Sequence, residues 1–130
     1  MFTLEQIKSA HSKVKSGADF PNYVQDIIKL GVIFYETYVS DGHTEYKGKD
    51  GYKISSDEKY TNLAIAESSN ISQFKIDLKE HQQGKTNYQE FCTSCAKQGV
   101  EKWTVNTTTM TCTYYDKSGN EMLKESIPAV

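Results

Sequence analysis

QGKTNYQEFCTSCAKQGVEKWTVNTTTMTCTYYDKSG, residues 83–119, decides the fold, because the chain has already said much of it once. Gly99-Val100 follows a lysine-bearing segment, as Gly31-Val32 does. Tyr114 to Gly119 answers Tyr46 to Gly51. The separations 99−31, 114−46 and 119−51 are all 68. Working outward, Trp103 falls opposite Tyr35, and Tyr88 and Phe91 fall opposite Phe20 and Tyr23. Before Gly84 the separation is 67: Ile71, Phe74, Leu78 and His81 answer Leu4, Ile7, His11 and Val14, and Gly84 answers Gly17. One extra residue enters the turn that follows.

The first copy reads as two helices and three strands. Thr3 is an N-cap, and Gln6 completes a capping box. Leu4, Ile7, His11 and Val14 form one helical stripe. Gly17 is the expected stop, since glycine adopts the left-handed cap without penalty. Asp19 caps a second helix with Pro21 in its first turn and Gly31 at its end. Val32 to Val39 is aromatic and β-branched, a strand. Asp41-Gly42 predicts a tight hairpin turn, His43 to Lys47 the returning strand, and Tyr52 to Ile54 a third. Ser55 to Tyr60 reads as loop and Leu63 to Ala66 as a short edge strand.

Asn70 then caps a second round, with Gln73 placed as Gln6 is. Another helix starts near Thr86 or Asn87. Trp103 to Thr107 and Met110 to Asp116 make a hairpin, and Glu121 to Ile127 a last strand. The expectation is an α+β fold: an internally duplicated ααβββ unit, antiparallel strands with helices on one face. The pseudo-repeats are 3–54 and 70–122, joined by a linker, 55–69. Half-chains of that length are marginal alone, so residues 1–130 should form a single domain with one shared core.

Composition narrows the function classes. The net charge is −2, so nucleic acid is not an expected partner. No apolar run approaches the ~18 residues of a membrane span. The N-terminus lacks the apolar core of a signal peptide, which makes the cytoplasm the default compartment. Three cysteines do not suggest a secreted disulfide framework.

Gly17-Ala-Asp-Phe20-Pro, Tyr35-Glu36 with Asp41-Gly42-His43-Thr44, Gln82-Gln83-Gly84-Lys85, and Gly99-Val100-Glu-Lys-Trp103 with Cys112-Thr-Tyr114-Tyr-Asp116 carry a resemblance. They resemble the YbcV-like family, small bacterial proteins of unknown function, some labelled phage envelope protein. The resemblance runs nearly end to end. It implies no activity, cofactor or site residue.

Four groups of residues are candidates for chemistry. Cys92-Thr-Ser-Cys95 is a CxxC, but the repeat sets these cysteines opposite Val24 and Ile27, so packing is the stronger reading. His11 and His81 lie on helical stripes where the other copy has Leu78 and Val14. Asp41, His43 and Glu45 alternate and should share a hairpin face, where a histidine between carboxylates could bind a metal or act as a base. The aromatics Phe34, Tyr38, Tyr46 and Tyr52 make the first copy's sheet more apolar than the second's. Phe34 and Tyr38, on the face away from Tyr35, are either covered by the 55–69 linker or offered for contact.

The leading expectation is a non-enzymatic binding or interaction module, with a small ligand held in a cleft between the copies. The expected ligand residues are Asp41, His43, Glu45, Tyr35, Tyr46 and Trp103. No metal, cofactor or catalytic residue is assigned. A homo-oligomer through the sheet or the aromatic face is also expected. The alternative is a small metal-assisted hydrolase centred on Asp41, His43 and Glu45.

Overall fold

The structure, a computed structural model, describes residues 2–15 and 17–128. Four helices and six strands alternate: α1 (Leu4–His11), α2 (Phe20–Leu30), β1 (Phe34–Tyr38), β2 (Thr44–Lys47), β3 (Lys53–Ser55), α3 (Ile71–Gln82), α4 (Tyr88–Lys97), β4 (Lys102–Asn106), β5 (Thr111–Tyr115) and β6 (Glu121–Ser126). The ααβββ order occurs twice, as the repeat requires.

Local signals set most of the helix ends. Thr3 Oγ1 accepts from the Gln6 N–H at 3.2 Å, and Gln6 Oε1 accepts from the Thr3 N–H at 2.9 Å, closing the capping box. Asn70 repeats the first bond but not the second, because its own N–H donates to the Gln98 carbonyl at 2.9 Å instead. Asp19 occupies the cap position of α2, yet its carboxylate accepts from the Lys15 N–H at 2.9 Å. At Gly31 and Gly99 the chain turns left-handed, with φ of +108° and +88°. There the N–H groups of Val32 and Val100 reach back to the carbonyls of Ile27 and Cys95.

α1 departs from expectation: it stops at His11, six residues before Gly17. Ser12 is the cause. Its hydroxyl donates to the Ser9 carbonyl at 2.6 Å, and the N–H groups of Lys13 and Val14 fall back three residues to Ala10 and His11. A serine bonding its own turn competes with helix propagation. The second copy has Ile76 and Lys79 in place of Ser9 and Ser12, and α3 continues to Gln82.

The strands form one antiparallel sheet in the order β3-β2-β1-β4-β5-β6. The two copies meet at its centre. Glu36 pairs with Thr104, its own counterpart 68 residues on. Around that pair the partners exchange: Phe34 faces Asn106 and Tyr38 faces Lys102, where 102 and 106 correspond to 34 and 38. This register makes the repeat a pseudo-two-fold axis through the middle of the sheet. Tyr35, Thr37, Thr44, Tyr46, Trp103, Val105, Cys112 and Tyr114 turn buried side chains to the helical side. Phe74 of α3 packs on Tyr114, and Phe91 of α4 on Trp103.

Two connections differ from the sequence reading. The β1–β2 turn is a four-residue loop, Val39 to Gly42, closed by the Tyr38 N–H on the His43 carbonyl at 3.0 Å. Gly42 alone in it takes the left-handed conformation. A side chain there would collide with the Tyr60 ring, so the linker fixes this loop. Leu63 to Ala66 is not an edge strand. The amides of Lys59, Leu63 and Ala66 bond separately to the carbonyls of Asp41, Ser40 and Ala96, leaving no continuous ladder. The linker thus runs along the 39–41 loop and α4.

Candidate functional site

The aromatics that the repeat pairs do not fill the space between sheet and helices. They surround it. A cavity of about 860 Å³ lies there. The first copy lines it with Phe20 and Tyr23 of α2, Tyr35 of β1 and Tyr46 of β2. The second lines it with Tyr88 and Phe91 of α4, Trp103 of β4 and Tyr114 of β5. Each of these four follows its counterpart by 68 residues. The pseudo-two-fold therefore builds the cavity from two aromatic quartets, one from each copy.

The rings touch within each quartet, and His11 links the two. Tyr35 and Tyr46 are a cross-strand pair with centroids 5.5 Å apart. Trp103 stands 5.7 Å from Phe91, 6.1 Å from Tyr114 and 6.3 Å edge-on from Tyr88. His11 bridges the copies, edge-on to Tyr23 at 5.3 Å and to Tyr88 at 6.3 Å. His81 stacks on Phe91 at 4.3 Å and 9°. Its Nδ1 lies 3.2 Å from both the carbonyl and the hydroxyl oxygen of Thr86.

The phenols and imidazoles on this lining are kept neutral. Burial raises the phenols of Tyr23, Tyr35, Tyr46 and Tyr114 above the ordinary tyrosine value. Burial, with a smaller effect of the Lys59 ammonium, lowers His11; burial also lowers His81 against the opposing bond to Thr86. The hydroxyls of Thr37 and Thr44 pair at 2.9 Å on the sheet floor. The wall formed by the two quartets is thus aromatic, with neutral donors and acceptors that can orient a guest.

Cys92 and Cys95 lie behind this wall, fully buried, as do Val24 and Ile27 opposite them. Burial pushes both thiols up, and the hydroxyls of Tyr60 and Tyr88 only partly oppose that at Cys92. Neither has the electropositive, accessible setting of a redox cysteine. Cys112 faces the cavity, its thiol pushed up to about 12 by burial.

Asp41, His43 and Glu45 do come together, but on the opposite face of the sheet from the cavity. Asp41 Oδ1 accepts from the His43 backbone N–H at 3.0 Å and from its Nδ1 at 2.6 Å. Burial pushes the Asp41 carboxyl up, but these bonds outweigh it and hold the group below its ordinary value. Glu45 Oε2 lies 3.9 Å from Nε2 on the other side of the ring, and its Oε1 takes Lys53 at 3.3 Å. The imidazole lies flat on Tyr38, 4.6 Å away at 6°. The carboxylates thus flank different ring nitrogens instead of converging on one point with a free lone pair. Among the described residues no group of three or more His, Cys, Asp or Glu side chains could hold a metal ion. The metal-assisted alternative has no ligand cluster to stand on.

The six expected ligand residues therefore divide. Tyr35, Tyr46 and Trp103 line the cavity; Asp41, His43 and Glu45 belong to a polar lattice on the open face. That lattice includes Phe34 beneath the Lys47 ammonium at 5.2 Å, and Tyr38 and Tyr115 beneath Lys102 at 5.8 and 5.7 Å. Tyr52 instead donates to the Phe2 carbonyl at 2.6 Å and packs edge-on to its ring. Sequence reasoning missed Phe20, Tyr23, Tyr88, Phe91 and Tyr114 as lining. The signal was present in the 68-residue pairing of aromatics, which read equally well as a filled core. No helix among the described residues is long and apolar enough to cross a membrane.

No curated protein matches the chain. The chain belongs to the family described as "Protein of unknown function (DUF1398)", which matches residues 8–126.

Proposed function

For a member of a family without an assigned activity, we propose a non-enzymatic module that binds one small organic molecule in the cavity between sheet and helices. One observation carries this reading: the repeat, which could have closed its core, instead leaves about 860 Å³ walled by two aromatic quartets. Small-ligand pockets commonly enclose ~300–1,000 Å³ behind mostly apolar and aromatic walls. A space of that size left empty would forfeit much of the packing energy that a dense core gains. The likeness to the YbcV-like proteins, and the envelope label carried by some of them, adds no activity to this reading.

The test is a ligand screen read in two channels. A ligand of the folded state raises the melting temperature, by an amount equivalent to about 2.7 kcal/mol at a hundred times its Kd. Trp103, the sole tryptophan, lines the cavity, so a guest there must also change its emission. Compounds should move both signals together. Stabilisers that leave Trp103 unchanged bind elsewhere and would count against the cavity.

Self-association belongs to the same reading as a separate property. β3 and β6 are the edges of the sheet, where a further strand could pair. The open-face aromatics are covered in part by lysines and make a weaker contact surface than the sequence suggests. Light scattering behind size exclusion should give a dimer at high concentration; a monomer throughout would remove the association without touching the cavity.

A further inference from the structure

Both copies contribute the same aromatic lining, but their polar rims differ, and the difference bears on what the cavity holds. Lys15 stands where the second copy has Gln82, and His11 where it has Leu78. All four line the cavity, as does Lys59 of the linker. The side of the first copy and linker carries three ammonium groups, those of Lys8, Lys15 and Lys59. The second copy's side carries one charged group, Glu125, whose Oε1 accepts from Gln82 Nε2 at 3.1 Å.

Among the described residues no carboxylate lies within ion-pair distance of these three ammonium groups. The Asp19 carboxylate is close to Lys15 but takes its backbone N–H. The Asp41 carboxylate turns to His43, and only its carbonyl meets the Lys59 backbone. Exposed on the rim with no counter-charge beside them, these ammonium groups offer a positive potential at the mouth of an aromatic cavity. A chain of net charge −2 has no general basicity to account for it.

We propose that the cavity takes a small aromatic anion, its flat body between the two quartets and its anionic group at Lys8, Lys15 and Lys59. This rests on the cavity being a ligand site. It names the ligand's chemistry and its direction: ring inward beside Trp103, charge outward at the first copy's rim. Lysine suits an anion approached as a point charge.

Two naphthalene dyes test this on the whole protein. 1-Anilinonaphthalene-8-sulfonate and N-phenyl-1-naphthylamine share an aromatic body and differ by the sulfonate. Energy transfer from Trp103 reports either one in the cavity. The sulfonate should bind at least about tenfold more tightly, equivalent to ~1.4 kcal/mol. In the triple variant K8Q/K15Q/K59Q that preference should vanish while the neutral dye keeps its affinity. In the unaltered protein, raising the salt from 0.05 to 0.5 M should erode the preference as well, an arm that does not depend on the variant folding. Equal binding of the two dyes, or a preference that survives both the triple substitution and salt, would overturn the proposal while leaving the cavity a ligand site. Failure of both dyes to draw energy from Trp103 would remove the cavity reading itself.

Discussion

Gly99 and Gly119 look alike in the sequence, and both have positive φ, +88° and +84°. Their surroundings differ. A Cβ on Gly99 would meet Ser69 Cα at 2.8 Å and the Ser68 carbonyl at 3.0 Å, because the linker crosses directly over the end of α4. A Cβ on Gly119 would meet nothing within 4 Å. Gly119→Ala should therefore cost only the left-handed strain, about 1–2 kcal/mol. Gly99→Ala should cost roughly 1–3 kcal/mol more, since backbone has to move. Urea unfolding of the two variants measures the difference; equal losses would mean that the linker does not press on this corner. The histidines make a second prediction at this scale. His11 and His81 titrate below 6.5 in the folded protein, chiefly because both are desolvated. Well above pH 6.5 neither state binds the proton and stability is unaffected. As pH falls below 6.5 the unfolded chain takes protons that the native state refuses, so stability drops until pH passes the folded pKa. The double variant H11L/H81V, which borrows the other copy's residues, should lose stability less steeply between pH 7.5 and 5.5. Parallel curves for the two proteins would refute the assignment.

Elements were legible wherever a local signal acts alone, and misread where a neighbour intervenes. The capping box of α1 and the glycine stop of α2 depend on residues within one turn, and they stand where the sequence puts them. Gly17 failed as the stop of α1 because Ser12 ends the helix first, a competition between a hydroxyl and the next N–H that a glycine-based rule ignores. Leu63 to Ala66 failed as a strand because its amides find carbonyls in the 39–41 loop and α4, contacts that only the tertiary fold provides. α4 offers a clean test of local control. Asn87 Oδ1 accepts from the Glu90 N–H at 2.8 Å, and Glu90 Oε1 accepts from the Asn87 N–H at 2.9 Å. Asn87→Ala should cost about 1 kcal/mol in urea unfolding. Because α4 supplies Tyr88 and Phe91 to the cavity, the same substitution should weaken binding of any ligand reported by Trp103. Full stability in the variant would show that packing on the sheet, not the cap, sets the start of this helix.

At the scale of the molecule the repeat explains both the fold and the site. Copies paired about Glu36 and Thr104 put two equivalent aromatic sets face to face, so the cavity is a consequence of the symmetry. The sequence revealed which residues correspond, since that is a matter of spacing. It did not reveal that they enclose space, because a cavity is the difference between a wall's reach and its separation, and side-chain type alone fixes neither. For the same reason Tyr35, Tyr46 and Trp103 were found while His43 was set beside them: alternation shows which residues share a face, not which face is roofed. The symmetry also bears on whether a half can stand alone. A fragment of residues 1–69 retains β1, β2 and β3 but loses the β4 partner that joins the copies. Its obvious substitute is a second fragment, pairing β1 with β1 about the same axis. That pairing would set Glu36 directly against Glu36, and like charges opposite each other on adjacent strands are destabilising. In the intact chain the position opposite Glu36 is Thr104, and the Glu36 carboxylate takes the Lys102 ammonium at 3.3 Å; a fragment dimer would have Phe34 in place of Lys102. The 1–69 fragment should therefore remain largely unfolded by circular dichroism. Addition of residues 70–130 should restore folded signal with one-to-one stoichiometry. Substituting Glu36→Thr should shift the lone fragment towards a folded dimer. A native-like spectrum from the unaltered fragment as a monomer would show that each copy closes its own core, and that the cavity between them is not what the pairing exists to build.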